Sequence, residues 1–249
     1  MSRKNNSKME IGIIGFGRFG KLITKYLSED KKVYVFSRSL KDGEIRKSNG
    51  IPASLEDVCK KDIVIPCVPI SQLEGTLKKI KGMLKDNLVI DVCSVKEYPV
   101  AAMKRILHEK TGILATHPIF GPDSAAETVK GRKIVLCRVR IQDEKYEKIK
   151  SCLEKKGLVV IESTPEKHDK EIAKTLVLAH FIGRGLIGLG AKNLEIDTEG
   201  YRRLMDVLET VKNDTEQLFE DMNRYNKYSK EIRKGLIKSL ARIDRRLEK

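Results

Sequence analysis

The chain has 249 residues, 40% of them hydrophobic and 34% charged, with a formal net charge of +15 and only 5% aromatics. That size allows a substantial core in one large domain or in a larger and a smaller one, and the composition lacks the low hydrophobicity of disordered chains. The charge admits a nucleic acid, a membrane surface or an anionic small molecule as partner. Lysines and arginines spread along the whole chain, with few aromatics and no base-stacking motif, argue against nucleic acid.

Residues 1–8 form a basic, polar tail without the apolar stretch of a signal peptide. No apolar run approaches the roughly 20 residues of a membrane span, so a soluble, cytoplasmic protein without membrane partners is expected. The five cysteines (Cys59, Cys67, Cys93, Cys137 and Cys152) are odd in number, lack CxxC spacing and fall in or beside apolar runs, which reads as reduced thiols. His108, His117, His168 and His180 are scattered without ligand spacing, so no metal is expected.

From Met9 to Thr164 short apolar runs alternate with amphipathic stretches, the pattern of a parallel sheet with crossover helices. Strands are predicted at Glu10–Ile14, Lys32–Ser37, Ile63–Val68, Leu88–Val92, Gly112–Thr116, Lys133–Arg138 and Leu158–Glu162. Helices are predicted at Gly17–Ser28, Ser71–Lys81, Pro99–His108 and Asp143–Lys155, the last stopping at Gly157. Thr164 and Pro165, an N-cap and a first helical residue, mark a boundary after which strand-like runs cease. Beyond it lie helices from Pro165 to Leu189 and near Glu199–Arg224 and Lys227–Leu247. The fold class is thus α/β, a Rossmann-type dinucleotide-binding sheet domain over residues 9–164 and a small all-helical domain over 165–249. So short a helical unit cannot bury its own apolar stripe, so it is expected to pack on the sheet domain and to form a homodimer.

Gly15-Phe16-Gly17-Arg18-Phe19-Gly20 fits GxGxxG between a strand and a helix, with a second strand ending at Ser37. Gly15 allows the turn, Gly17 lets a pyrophosphate approach the backbone, and Gly20 lets helix and strand pack. An NAD site has an acid at the end of the second strand, where this chain has Ser37-Arg38-Ser39. A guanidinium between two hydroxyls suits a 2'-phosphate, so NADP is the expected cofactor. The alternative leaves Arg38 in solvent and gives the ribose to Asp42 or Glu44. In the next strand exit Cys67, Val68 and Pro69 are candidates to support a nicotinamide ribose, a plain loop being the alternative.

The two following strand exits read Asp91-Val92-Cys93-Ser94-Val95-Lys96 and Thr116-His117-Pro118-Ile119-Phe120-Gly121-Pro122. Downstream of the glycine motif, and with Glu166-Lys167-His168-Asp169 and His180-Phe181-Ile182-Gly183-Arg184 after them, these segments resemble the prephenate and arogenate dehydrogenases. The resemblance runs from Gly15 to at least Arg184. It implies an oxidoreductase of tyrosine biosynthesis that oxidises and decarboxylates a small anionic cyclohexadienol.

In that resemblance His117 is the catalytic residue, accepting a hydrogen bond from the ring hydroxyl; a neutral imidazole can take that proton as hydride leaves. Ser94 would orient His117 or contact the nicotinamide. His180 would bind substrate and Arg184, four residues on and on the same helix face, a substrate carboxylate or an acid at a subunit interface. Arg203 resembles a family carboxylate-binding arginine. His168 and Asp169 are candidates for a helix cap or an interdomain brace, and His108 reads as surface. Asp123 and Glu127 are candidates to separate prephenate from arogenate. The competing readings are a hydroxyacid dehydrogenase using Lys174 as base, and a non-catalytic NADP-sensing or nucleic-acid-binding module.

Overall fold

A computed structural model describes residues 9–39 and 42–248; the basic tail expected at residues 1–8 lies outside the described residues. The chain divides into two compact units, residues 1–164 and 165–249.

The first unit is built on an eight-stranded sheet ordered β3-β2-β1-β4-β5-β6-β7-β8. Its strands are β1 (Glu10–Ile14), β2 (Lys32–Phe36), β3 (Ile51–Pro52), β4 (Ile63–Pro66), β5 (Leu88–Asp91), β6 (Gly112–Pro118), β7 (Lys133–Arg140) and β8 (Val159–Glu162). The connecting helices are α1 (Arg18–Leu27), α2 (Asp42–Lys47), α3 (Leu55–Cys59), α4 (Ile70–Ile80), α5 (Glu97–Ile106) and α6 (Asp143–Lys155). β4 and β5 are buried along their whole length, as strands covered on both faces must be, which is why they read as unbroken apolar runs. The short β3, α2 and α3 escaped the sequence pattern because each is too brief to display a period.

One strand departs from the all-parallel expectation: β7 runs antiparallel to β6, with His117 opposite Val135. A parallel return needs a crossover, usually a helix. Residues 119–132 form no helix, so the chain turns back beside β6. The helix α6 then ends as expected, with Gly157 at φ +83° just beyond it.

The second unit is helical: α7 (Pro165–Ile172), a π-helical turn (Ala173–Val177), α8 (Leu178–Leu189), α9 (Glu199–Val211), α10 (Glu216–Arg224) and α11 (Ser229–Leu247). Pro165 opens the first helix as expected. The predicted continuous helix near Glu199–Arg224 is two helices, because Thr215 accepts from the Leu218 amide at 3.2 Å and so starts a new one. A β-carbon on Gly183 would collide with the Val211 side chain, so this glycine lets α8 and α9 pack closely. Contrary to the sequence expectation, Pro165–Leu189 is long and apolar enough, by length and composition alone, to cross a membrane. Part of that apolarity is internal to the unit, where Ile172 and Val177 pack with Met222.

Candidate active site

The carboxyl ends of β1, β2, β4, β5 and β6 lie along one edge of the sheet. The register sets Ile14 beside Phe36 and Pro66, and Asp91 beside Ala115. Gly15, Ser37, Cys67, Ser94 and His117 therefore leave neighbouring strands at one edge. That edge is where open α/β sheets bind ligands.

At its left lies the glycine turn. Gly15 has φ +106°, and a β-carbon there would meet the Cys67 carbonyl; one on Gly20 would meet the Gly15 carbonyl. At Gly17 a β-carbon would touch nothing within 4 Å, so this face of the turn is open. Gly17 is also the N-cap of α1 and supplies no side-chain hydrogen bond, and the first turn carries no acid. The first-turn amides and the positive end of the helix dipole thus face an open cradle, a fit for the pyrophosphate of a dinucleotide. Phe16 is buried beneath the turn, Phe19 packs on the core, and Arg18 is exposed and bonds Asp123 at 2.5 Å. Ser37 is half-buried, and Arg38 and Ser39 are exposed at the adjacent strand end. Asp42 and Glu44, the alternative ribose ligands, stand exposed in the first turn of α2.

Cys67 and Val68 are half-buried, and Pro69 is the N-cap of α4. Burial, reinforced by Asp91, pushes the Cys67 thiol well above its ordinary range. Cys93 moves the same way through burial and Asp91, with Lys96 opposing. Both thiols stay protonated near neutral pH, which excludes them as thiolate nucleophiles. Among the described residues no group of three acidic, histidine or cysteine side chains is arranged to hold a metal.

His117 is buried in the last turn of pleat of β6, and Ser94 Oγ is buried with no hydrogen-bond partner among the described residues. An unpartnered buried hydroxyl is costly, so it needs a ligand group or water when the site is filled. Behind both stands a pair the sequence reading missed. Lys96 and Asp91 have fully buried side chains joined as an ion pair. The Lys96 ammonium also donates to the Thr116 carbonyl at 2.5 Å, Asp91 accepts from the Cys93 amide at 2.8 Å, and the Thr116 hydroxyl donates to the Asp91 carbonyl at 2.8 Å. This lattice ties the loop carrying Ser94 to the strand carrying His117. Its only trace in the sequence is a lysine five residues after an acid at the end of an apolar strand.

In the helical unit His180 is buried, with Nε2 3.7 Å from the Asp214 carboxylate. Burial holds its pKa below the ordinary value of 6.5; Asp214 opposes this and Arg184 adds to it. His180 Nδ1 and Arg184 Nε are buried without partners among the described residues. Arg184 donates to the Asp214 carbonyl at 2.5 Å, lies 3.2 Å from Glu216, and has its guanidinium over the Phe219 ring. Arg184, read from the sequence as a partner of a substrate carboxylate or of an acid at a subunit interface, thus meets Asp214 and Glu216 within its own unit. Asp214 and Glu216 are not legible from the sequence because apolar residues keep a helical period on both sides of the 212–215 break.

Arg203 is not gathered with these groups: its side chain is 76% exposed and paired with Glu199 along α9. His168 and Asp169 bond each other at 2.8 Å inside the unit, within α7, and the Asp169 carbonyl accepts from Asn226. Lys174 is exposed, as is His108. Asp123 and Glu127 are both exposed, the former held by Arg18.

A parallel sheet with a glycine turn at the head of its first helix, and polar groups along its carboxyl edge, defines a nucleotide-binding α/β protein. Residues 28–162 match the family model for the prephenate dehydrogenase nucleotide-binding domain, and the chain belongs to that family. Residues 186–249 match a second model, the TYRAAT1-like C-terminal domain. The chain is 32% identical over 237 residues to arogenate dehydrogenase 2, chloroplastic, of Arabidopsis thaliana, covering 90% of this chain and 65% of that protein. It is 28% identical over 255 residues to a probable arogenate/prephenate dehydrogenase of Methanocaldococcus jannaschii, covering 96% of this chain and 56% of that one. The chain thus spans under two thirds of these relatives. Among solved structures, prephenate dehydrogenase from A. aeolicus in complex with hydroxyphenyl propionate and NAD+ superposes with a TM-score of 0.75 at 22% identity, over 99% of this chain and 94% of that one. Synechocystis arogenate dehydrogenase does so with a TM-score of 0.68 at 22% identity, over 96% and 90%. At those identities the likeness is one of fold.

Proposed function

We propose that this protein is an NADP-dependent dehydrogenase that oxidises and decarboxylates prephenate or arogenate. The observation that carries the reading is a buried histidine, His117, at a strand end on the same sheet edge as an open dinucleotide cradle. When bound, the nicotinamide supplies the hydride acceptor. His117 takes the proton of the ring hydroxyl as the carbon bearing it becomes a carbonyl. Loss of carbon dioxide then leaves its electron pair to the ring, and aromatisation makes the step strongly downhill, so no metal or covalent intermediate is needed. Ser94 offers its buried hydroxyl to the nicotinamide or to His117. Neutral His180 donates or accepts a hydrogen bond to the substrate.

The choice of NADP rests on Arg38 between Ser37 and Ser39, where a carboxylate would repel a 2'-phosphate. Five free cysteines fit a reducing cytoplasm. A homodimer through the helical unit is favoured by its exposed apolar side chains, among them Leu189, Leu240 and Leu247. The hydroxyacid dehydrogenase reading, with Lys174 as base, is weakened because residues 28–162 match the prephenate dehydrogenase nucleotide-binding domain. The test is a paired assay of prephenate and arogenate, each with NADP and with NAD, following reduced nicotinamide. Turnover of at least one substrate is expected and His117→Asn should lower kcat by about 10²- to 10⁴-fold; no turnover of either substrate sinks the reading.

A further inference from the structure

On the sheet face opposite His117, where Leu88 and Leu114 have no solvent exposure, Ile63, Ile65 and Ile90 keep 4%, 5% and 8%. Those isoleucines line a cavity of about 320 Å³. It lies between the sheet, α1, α6 and the segment 119–132, and Ile11, Phe120, Val129, Ile149 and Leu158 complete much of its wall. The volume is within the ~300–1,000 Å³ range of small-molecule pockets.

The wall has almost no chemistry to offer. Its Tyr26 hydroxyl donates to the Ala125 carbonyl at 2.7 Å, and Thr116 donates to the Asp91 carbonyl. Neither has a donor hydrogen left for an occupant. The charged groups on the lining are Asp30, Lys31, Lys148 and Lys156, and each cation is already matched. Lys156 meets Glu29 and Asp30 at 3.2 and 2.8 Å, Lys31 meets Asp30 at 2.7 Å, and Lys148 meets Glu144 at 2.7 Å. Water needs two to four polar partners to settle in such a space, and apolar cavities without them stay dry and take up apolar molecules. An anion would find no unmatched cation.

We propose that this cavity is a second ligand site, taking an uncharged, apolar molecule of up to three rings or an equivalent hydrocarbon chain. It is separate from the dinucleotide cradle, because none of Gly15 to Gly20 lines it. Thr116 and Pro118 line it while His117 between them points to the opposite face, as alternation along a strand requires. An occupant therefore touches the back of the strand that carries His117.

The test uses the full chain and needs no turnover, so it stands or falls apart from the proposed reaction. N-phenyl-1-naphthylamine, an uncharged two-ring fluorophore with a pendant phenyl, is titrated against its sulfonated analogue 8-anilinonaphthalene-1-sulfonate. Expected is one saturable site for the uncharged probe, at about micromolar Kd and about tenfold tighter than for the anion, not displaced by saturating NADP. Ile65→Phe and Val129→Phe, which fill the space, are expected to weaken the probe by about tenfold or more while leaving the melting temperature equal or higher. No saturable binding of the uncharged probe, an anion bound as tightly, or displacement by NADP overturns the proposal. So does probe binding at wild-type affinity in either folded variant.

Discussion

Lys96 shows what one residue can contribute without touching a ligand. Its ammonium is buried against Asp91 and the Thr116 carbonyl, and removing one partner of such a pair leaves an uncompensated charge in the interior. Lys96→Met is expected to cost about 3–5 kcal/mol in urea unfolding, and Asp91→Asn added to it should recover part of the loss. A loss within experimental error would mean the pair is not closed in solution. His180 makes a second, pH-dependent prediction. Its folded pKa is depressed from 6.5, chiefly by burial, so the fold favours the neutral ring. The associated stability is present above the unfolded value and is lost as pH falls through 6.5 towards the depressed folded value. Wild type should lose more stability than His180→Gln between about pH 7.5 and 5; parallel curves refute the shift. We propose that Asp214, 3.7 Å from His180, is the acid that receives the ammonium that arogenate has and prephenate lacks. Asp214→Asn is expected to lower the ratio of kcat/KM for arogenate over prephenate by about tenfold, and an unchanged ratio would remove Asp214 from substrate selection.

Among the elements, the turn from β1 into α1 was the most legible in the sequence. Gly15 must reach φ +106° and Gly20 must lie against the Gly15 carbonyl, and such demands are local enough to leave a fixed spacing in the chain. The exit of β2 was legible as chemistry but not as contact: Arg38 is exposed, with Asp42 and Glu44 nearby in sequence on α2. Arg38→Asp is expected to weaken NADP by about 10- to 100-fold, the size of a lost charge-assisted contact, and to spare NAD. Equal effects on both dinucleotides, measured by direct binding, would assign Arg38 no part in the choice. The 212–215 break was less legible, since apolar residues keep a helical period on both sides of it and only the capping hydroxyl of Thr215 marks the interruption.

Over the whole molecule the cations behind the net charge of +15 are spread along the chain, and some are neutralised in short-range pairs such as Lys170–Glu166 and Lys148–Glu144, each contributing little to stability. Apolar exposure is uneven. Leu189, Ile196 and Leu247 of the helical unit are 80%, 93% and 76% exposed, and Ile237, Leu240 and Ile243 stand open along α11. A second copy is the occupant we propose. Light scattering should give twice the chain mass at micromolar concentration, and Leu240→Glu with Leu247→Glu should halve it. A monomer in the unsubstituted chain refutes this.

By itself, the sequence determined the alternating sheet, the glycine turn and the candidate histidine at a strand end. Each of these depends on residues within one turn, one strand or one loop, where period and spacing record the constraint. Only the tertiary structure decided which way β7 runs, that Lys96 is inside, and that Arg184 is held by Asp214 and Glu216. It also decided that a partly open apolar pocket lies between the sheet, α1 and α6. These depend on atoms brought together from distant segments, and the partner of a buried charge or the fit of two surfaces leaves no period in the chain.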